Sequence, residues 1–407
     1  MQATHQDIDL LGNWEGYSVH GIHIPQNQQR RIRIDLRPKH GWWGGCSRCG
    51  CTGCEYHDRT TRIVRDLPVF SQPVELRVLV RRVVCPVCGP SRESISWLDP
   101  YARVTTRLAE TVCRMADIMT IKDVAKTFLL AWHTVKNIHK RYLQRELEPL
   151  DLRGVTQLII DEFAIQKGHR YATVVVDAVR KRVLWVGRGR SRASIRPFFE
   201  LLGEHRSQIE AVALDMSSAY INEITEQCPQ ARVIFDHFHV IARYGHEVID
   251  RVRVDAANRY RHDPLQRRLI KGSRWLLLRN PESITRPNER RQLDNLLEAN
   301  KELALVYVMK AQLNQLWTHA DRIAARPWWY QWYRMAIDSG IKPLIRFAKN
   351  LSVHVDGLIA YTEYRLTTGI LEGMNNKIKV IKRVAYGFRD DEYFFLRIRH
   401  AFPGNRR

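Results

Sequence analysis

The chain has 407 residues, 44% of them hydrophobic, which is enough for several domains with real cores and excludes a disordered tail. Lys and Arg number 65 against 43 Asp and Glu, and the pI near 9.9 points to a polyanionic partner, nucleic acid ahead of an acidic membrane surface. The N-terminus has no basic segment followed by an apolar run, and no apolar stretch reaches about 18 residues, so an intracellular, cytoplasmic protein without a membrane span is expected.

Residues 1–40 are weakly patterned, an N-terminal extension with one alternating basic strand at "RRIRIDLRP". The next region, 41–100, holds six of the eight cysteines in "CSRCGCTGC" and "CPVCG", on either side of the strand-like "VELRVLVRRVV". In a reducing compartment, CxxC pairs read as metal ligands rather than disulfides. Two knuckles bracketing a β-hairpin make a zinc-ribbon domain. Cys46, Cys49, Cys85 and Cys88 suit one tetrahedral structural Zn²⁺, which stabilises a unit too small to own a core. The motif "CSRCG" mirrors "CPVCG", and the Gly after the second Cys lets backbone amides turn toward the sulfurs. Cys51 and Cys54 form a competing first pair, while Cys113 and Cys228 read as buried thiols.

Region 101–150 is expected to be a helix-turn-helix DNA-binding domain. Ile121, Val124, Ala125, Phe128 and Leu129 recur at helical spacing, the period breaks at "LAW", and it resumes with Val135, Ile138 and Tyr142. The second helix turns Lys136, Asn137 and Lys140 away from its apolar stripe, as a recognition helix in a major groove does. A helical hairpin with a solvated basic face is the plainer alternative.

In region 151–242 three β-rich runs, "VTQLIIDEFAI", "YATVVVDAV" and "RVLWVGRG", precede strand–helix alternation. This pattern predicts the first part of an α/β core of ribonuclease-H type. Asp161 ends the first strand and Asp215 the fourth, and in such a sheet these ends can lie side by side. Residues 243–355 read as an all-helical insertion domain containing Trp275, Trp317, Trp328, Trp329 and Trp332. Such aromatics can stack on unpaired bases, although Trp at helical spacing is more often core. Region 356–407 returns to the core with "TTGILEGMNNKIKVIKR". Thr368 and Gly369 are N-cap candidates, and Glu372 falls in the first turn, where the helix dipole favours an anion. Asn376, Lys379 and Arg383 share its face and can track a phosphate backbone.

The blocks "LIIDEFAIQKGHRYATVVVD", "ALDMSSAY", "IFDHFHV" and "TTGILEGMNNKIKVIKRVAYGFRD" resemble the signatures of bacterial insertion-sequence transposases of the DDE type, the ISL-three family. The resemblance extends over about residues 40 to 400. Only the doubled "CSRCGCTGC" departs from that family's single knuckle. The resemblance implies an acidic triad of Asp161, Asp215 and Glu372 holding two Mg²⁺ or Mn²⁺ ions for DNA strand cleavage and strand transfer. It also implies a D-x-x-H element in which Asp236 and His239 support the triad. The implied partners are double-stranded transposon ends and target DNA, met at the nucleoid by a homodimer or higher oligomer. Without the chemistry, the same modules would make a sequence-specific DNA-binding regulator with an inactive ribonuclease-H-like domain.

Overall fold

A computed structural model describes residues 5–24, 31–147, 149–166, 168, 170–366 and 369–405. The chain forms two compact units, Met1–Glu148 with Lys382–Leu396, and Pro149–Ile381 with Arg397–Arg407. The helix carrying Glu372 spans Gly369–Val384, and its expected cap Thr368 lies outside the described residues.

The first unit is built on a sheet of β1 (Tyr17–His23), β2 (Ile32–Pro38), β3 (Glu55–Val69), β4 (Gln72–Cys85) and β5 (Gly89–Arg92). The strand order is β1-β2-β4-β3, with β5 also on β4. Residues 1–40 therefore contribute two strands to the sheet of the cysteine-bearing hairpin. The basic segment forms β2, which runs parallel to β4 from Ile32↔Val74 to Leu36↔Val78. Its alternate residues Ile34 and Leu36 join Trp14, Tyr17, Val64, Leu76 and Val78 in one core. Between β3 and β4 the chain reverses at Phe70 and Ser71, both at positive φ (47° and 66°), the geometry that a tight two-residue hairpin requires.

Three helices follow, Thr106–Ile118, Ile121–Phe128 and Trp132–Leu147, around a core that includes Val112, Val124, Phe128 and Val135. Residues 382–396 complete this unit. Tyr393 and Leu396 pack on Leu143, and the Tyr393 hydroxyl lies 2.8 Å from His139 Nδ1. One buried acid ties the sheet to the helices. Asp66 of β3 accepts hydrogen bonds from Trp14 Nε1 (3.0 Å), Thr105 Oγ1 (2.6 Å), the Leu67 amide (2.8 Å) and Arg107 Nε (2.8 Å). Thr105 in turn caps the first helix by accepting from the Leu108 amide.

The second unit holds β6 (Gln157–Gln166), β7 (Arg170–Asp177), β8 (Arg182–Arg188), β9 (Ala211–Leu214) and β10 (Arg232–Phe235) in the order β10-β9-β6-β7-β8. The β6-β7-β8 meander is antiparallel, and β6, β9 and β10 are parallel. Helix Arg192–Leu202, started by a Ser191–Ser194 capping box, supplies Phe198 and Phe199 to a core with Leu158, Ile160, Leu184 and Val212. From His237 to Tyr364 the described elements are all helical. Trp317, Trp329 and Trp332 are 4%, 2% and 1% exposed, so they are core residues rather than platforms for bases, whereas Trp275 is 67% exposed. Among the described residues no helix is long and apolar enough to cross a membrane.

Burial pushes the Asp66 carboxyl upward, but hydrogen bonds from Arg107 and Thr105 outweigh it and hold the group below the usual carboxylate range. A carboxyl depressed on folding adds stability above its unfolded value, near 3.9, and loses it as pH falls through the folded value. Asp66→Ala also leaves the Trp14 and Thr105 donors unpaired. Urea unfolding of the full chain, followed by tryptophan fluorescence, should show a loss of about 3–5 kcal/mol near neutral pH. The gap between the two proteins should narrow below about pH 4.

Candidate active site

Strand register decides which acids meet. β6 and β9 pair in parallel as Gln157↔Ala211, Leu158↔Val212 and Ile159↔Ala213, and β10 joins β9 up to Phe235↔Leu214. Continuing the same register aligns Asp161, Asp215 and Asp236 at one edge, on neighbouring strands about 4.8 Å apart. The expectation that Asp161 ends its strand is corrected. β6 runs on to Gln166 because β7 pairs with it as far as Gln166↔Arg170, and it is the ladder with β9 that stops short of Asp161.

Each acid has its own surroundings. Asp215, with a side chain 53% exposed, accepts from the Met216 amide at 2.6 Å. Asp236 is buried, caps helix His237–Tyr244 and accepts from the Phe238 amide at 3.1 Å. His239 Nδ1 stands 3.6 Å from Asp236 Oδ2 and 3.9 Å from Asp215 Oδ1, between the two acids. Asp161 has its carboxyl pushed up, first by burial and further by nearby Asp215, although the Glu162 amide, Asn375 and His239 act the other way.

Asn375 Nδ2 donates to Asp161 Oδ2 at 2.9 Å. This amide belongs to helix Gly369–Val384, which buries Leu371, Met374 and Ile378 and leaves Glu372, Asn376, Lys379 and Arg383 exposed. Glu372 stands one turn before Asn375. Lys377 instead donates to the Ala401 carbonyl at 2.7 Å. The Asn375 Oδ1 atom is buried without a hydrogen-bond partner among the described residues, an oxygen acceptor left over beside a carboxylate, as suits a hard cation. Asp161, Asp215 and Glu372 do not bring their ligand atoms within 4.8 Å of one another; among the described residues only cysteine groups do so. Carboxylate oxygens are the donors that a hard cation such as Mg²⁺ takes, with water completing its shell.

Two participants are not apparent from sequence spacing alone. Asn375 flanks the buried Met374–Ile378 stripe, a signal that helical periodicity offers, but Asn376 shares the face of Glu372 more closely. Glu162 pairs in register with Thr173, whose hydroxyl lies 2.7 Å from that of Tyr220. Burial pushes its carboxyl up. No local pattern announces that grouping, because it depends on β7.

In the first unit the thiols of Cys46, Cys49, Cys85 and Cys88 all lie within 4.8 Å of one another. Backbone amides of Arg48, 3.4 Å from Cys46 Sγ, and of Cys49 hold the Cys46 thiol down to about 6. Four converging sulfurs fit a closed zinc site. Cys51 and Cys54 also come within 4.8 Å of Cys85.

The second helix of the helix-turn-helix presents its residues differently from the expectation. Lys136 Nζ lies 2.6 Å from Asp390 Oδ2, and Lys140 Nζ lies 3.3 Å from Asp390 Oδ2 and 2.7 Å from Glu392 Oε2. The apolar contact of Leu143 with Tyr393 and Leu396 brings these acids onto the lysine face. Asn137 lies on another face, lining a groove of about 540 Å³ with Arg103, His133, Arg141 and Arg145.

Family models cover most of the chain: a zinc finger of the IS204/IS1001/IS1096/IS1165 transposases at residues 44–88, a helix-turn-helix domain of ISL3 transposases at 93–143, and a transposase domain at 158–398. Together they describe a DNA-processing transposase. The chain belongs to the ISL3 family of insertion-sequence transposases. It is 47% identical over 402 residues to the transposase of insertion sequence element IS1001 from Bordetella parapertussis, covering 98% of both chains. The transposase of IS1557 from Mycobacterium tuberculosis is 28% identical over 389 residues, 89% of this chain and 86% of that one.

Replacing one sulfur of the tetrad opens a closed site. Metal analysis of the purified full chain should therefore show Cys46→Ser and Cys88→Ser each losing about one zinc per chain, with a lower melting temperature, while Cys113→Ser keeps its zinc.

Proposed function

We propose that this transposase cleaves DNA at the ends of its element and joins the freed ends to target DNA at one acidic site formed by Asp161, Asp215 and Glu372. The observation that carries the reading is the Asn375–Asp161 hydrogen bond, which brings the helix of Glu372 to the strand edge where Asp161 and Asp215 align. The antiparallel meander followed by two parallel strands supports a ribonuclease-H-like core. A pair of Mg²⁺ or Mn²⁺ ions bound there supplies Lewis acidity to the attacking and leaving oxygens.

The protein's own groups have separate tasks. Asn375 holds one Asp161 oxygen and fixes the orientation of the carboxylate, which would take part in holding a metal. His239 braces Asp215 and Asp236. Exposed Asn376, Lys379 and Arg383 follow Glu372 along the helix and hold the DNA backbone beside the reacting phosphate. Asn137, with the arginines of its groove, reads the inverted repeats, since an amide can pair with an adenine edge. Lys136 and Lys140 bind phosphate only when their ion pairs with Asp390 and Glu392 exchange. Two active sites acting on two element ends call for a homodimer or larger assembly on DNA.

The test compares acids with cations. Asp161→Asn, Asp215→Asn and Glu372→Gln should each lower Mg²⁺-dependent nicking and strand transfer by about 100-fold or more while binding of end DNA persists. Lys379→Ala and Arg383→Ala should instead weaken binding and flatten its dependence on log salt by about one each. Near wild-type cutting by Glu372→Gln places the third carboxylate elsewhere. Tight binding of end DNA by the wild type with no cutting under any divalent ion would make the protein a regulator.

A further inference from the structure

The second cysteine pair does not serve the tetrad, yet the fold delivers it there. β3 begins at Glu55, which pairs with Val84 of β4. One step outward along this ladder, Cys54 and Cys85 face each other as cross-strand neighbours. On the other side of β4, β5 pairs Gly89 with Cys85, and the knuckle from Cys85 to Cys88 closes between them. Cys85 thus stands at the end of the central strand, with Cys54 on one side and the tetrad on the other. Cys49 Sγ is 3.5 Å from Cys85 Sγ.

The first knuckle folds tightly enough to bring Cys51 alongside. The Cys46 amide donates to the Cys51 carbonyl at 2.8 Å, and the Gly50 amide to the Cys46 carbonyl at 2.8 Å. A Cβ on Gly45 would lie 2.7 Å from the Gly50 carbonyl oxygen, so the backbones approach as only glycine allows. Cys54 Sγ sits 3.3 Å from the Cys51 carbonyl oxygen. As a result Cys51, Cys54 and Cys85 form a second group of thiols, all within 4.8 Å of one another.

We propose that Cys51, Cys54 and Cys85 bind a second Zn²⁺, with the Cys85 thiolate bridging it to the ion of the tetrad. Charge favours the pair of ions. Six thiolates around one Zn²⁺ would concentrate excess negative charge, whereas two Zn²⁺ with six thiolates carry the same net charge as one Zn²⁺ with four. The first ion is closed by four sulfurs; the second has three and leaves a position for water. Soft thiolates select zinc over the hard cations suited to the carboxylate edge.

The test counts metal in the full-length protein. The wild type should hold about two zinc ions per chain and Cys51→Ser/Cys54→Ser about one, with the remaining ion still sensitive to Cys46→Ser. Cys54→His, which keeps a zinc ligand, should retain both ions and guards against misreading a folding defect. Replacement by ¹¹³Cd should give two NMR signals coupled to each other through the bridging sulfur. One zinc per chain in the wild type, or two cadmium signals without coupling, overturns the shared site. These readouts do not involve DNA cleavage, so they stand apart from the fate of the acidic triad.

Discussion

A carboxylate set into a β-sheet must be compensated, and at Asp161 part of the compensation comes from Asn375, a residue of a helix more than two hundred positions further along the chain. The contact fixes the face that helix Gly369–Val384 turns to the sheet: Leu371, Met374 and Ile378 go inward, Asn375 meets the acid, and Glu372 stays at the exposed margin. This contact relates the helical acid to the strand acids. With it, the amide supplies a donor to the acid, while its own oxygen has no hydrogen-bond partner among the described residues.

Both units gather candidate metal ligands where a strand ladder stops. At the second sheet, the parallel ladders of two short strands stop level with Asp161 of a longer neighbour, which sets Asp161, Asp215 and Asp236 in register. At the first, the central strand ends in Cys85 with partners on both flanks. A strand end frees side chains from the ladder while the ladder still fixes their spacing, a form of preorganisation that loops alone do not give. The two donor sets differ in hardness: sulfur in one, oxygen in the other.

Much of this was legible in the sequence because the signals were local. CxxC spacing marked the thiolate site, alternation marked β2, β-rich runs marked the meander, and helical periodicity marked the exposed stripe of Glu372, Asn376, Lys379 and Arg383. What stayed hidden depended on distant partners. The length of β6 beyond Asp161 is set by β7. The membership of residues 1–40 in the first sheet is set by β4, which comes after the cysteine loop. The choice between Asn375 and Asn376 turns on a hydrogen bond to another element. The tryptophans show the same limit, since periodicity suggested burial for all of them and Trp275 is exposed.

The ion pairs on the helix-turn-helix bear on how quickly, and from which side, DNA arrives. Lys136 and Lys140 are closely matched by Asp390 and Glu392, so the potential they project into solvent is largely cancelled. In the groove beside Asn137, Arg103, Arg141 and Arg145 outnumber the one lining acid, Asp99, which lies 3.7 Å from Arg145, so the concave wall keeps a net positive charge that focuses field lines. On the proposal that Asn137 reads the element ends, a diffusing duplex would be drawn toward the groove rather than the lysine face, and the encounter would be oriented before any base is read.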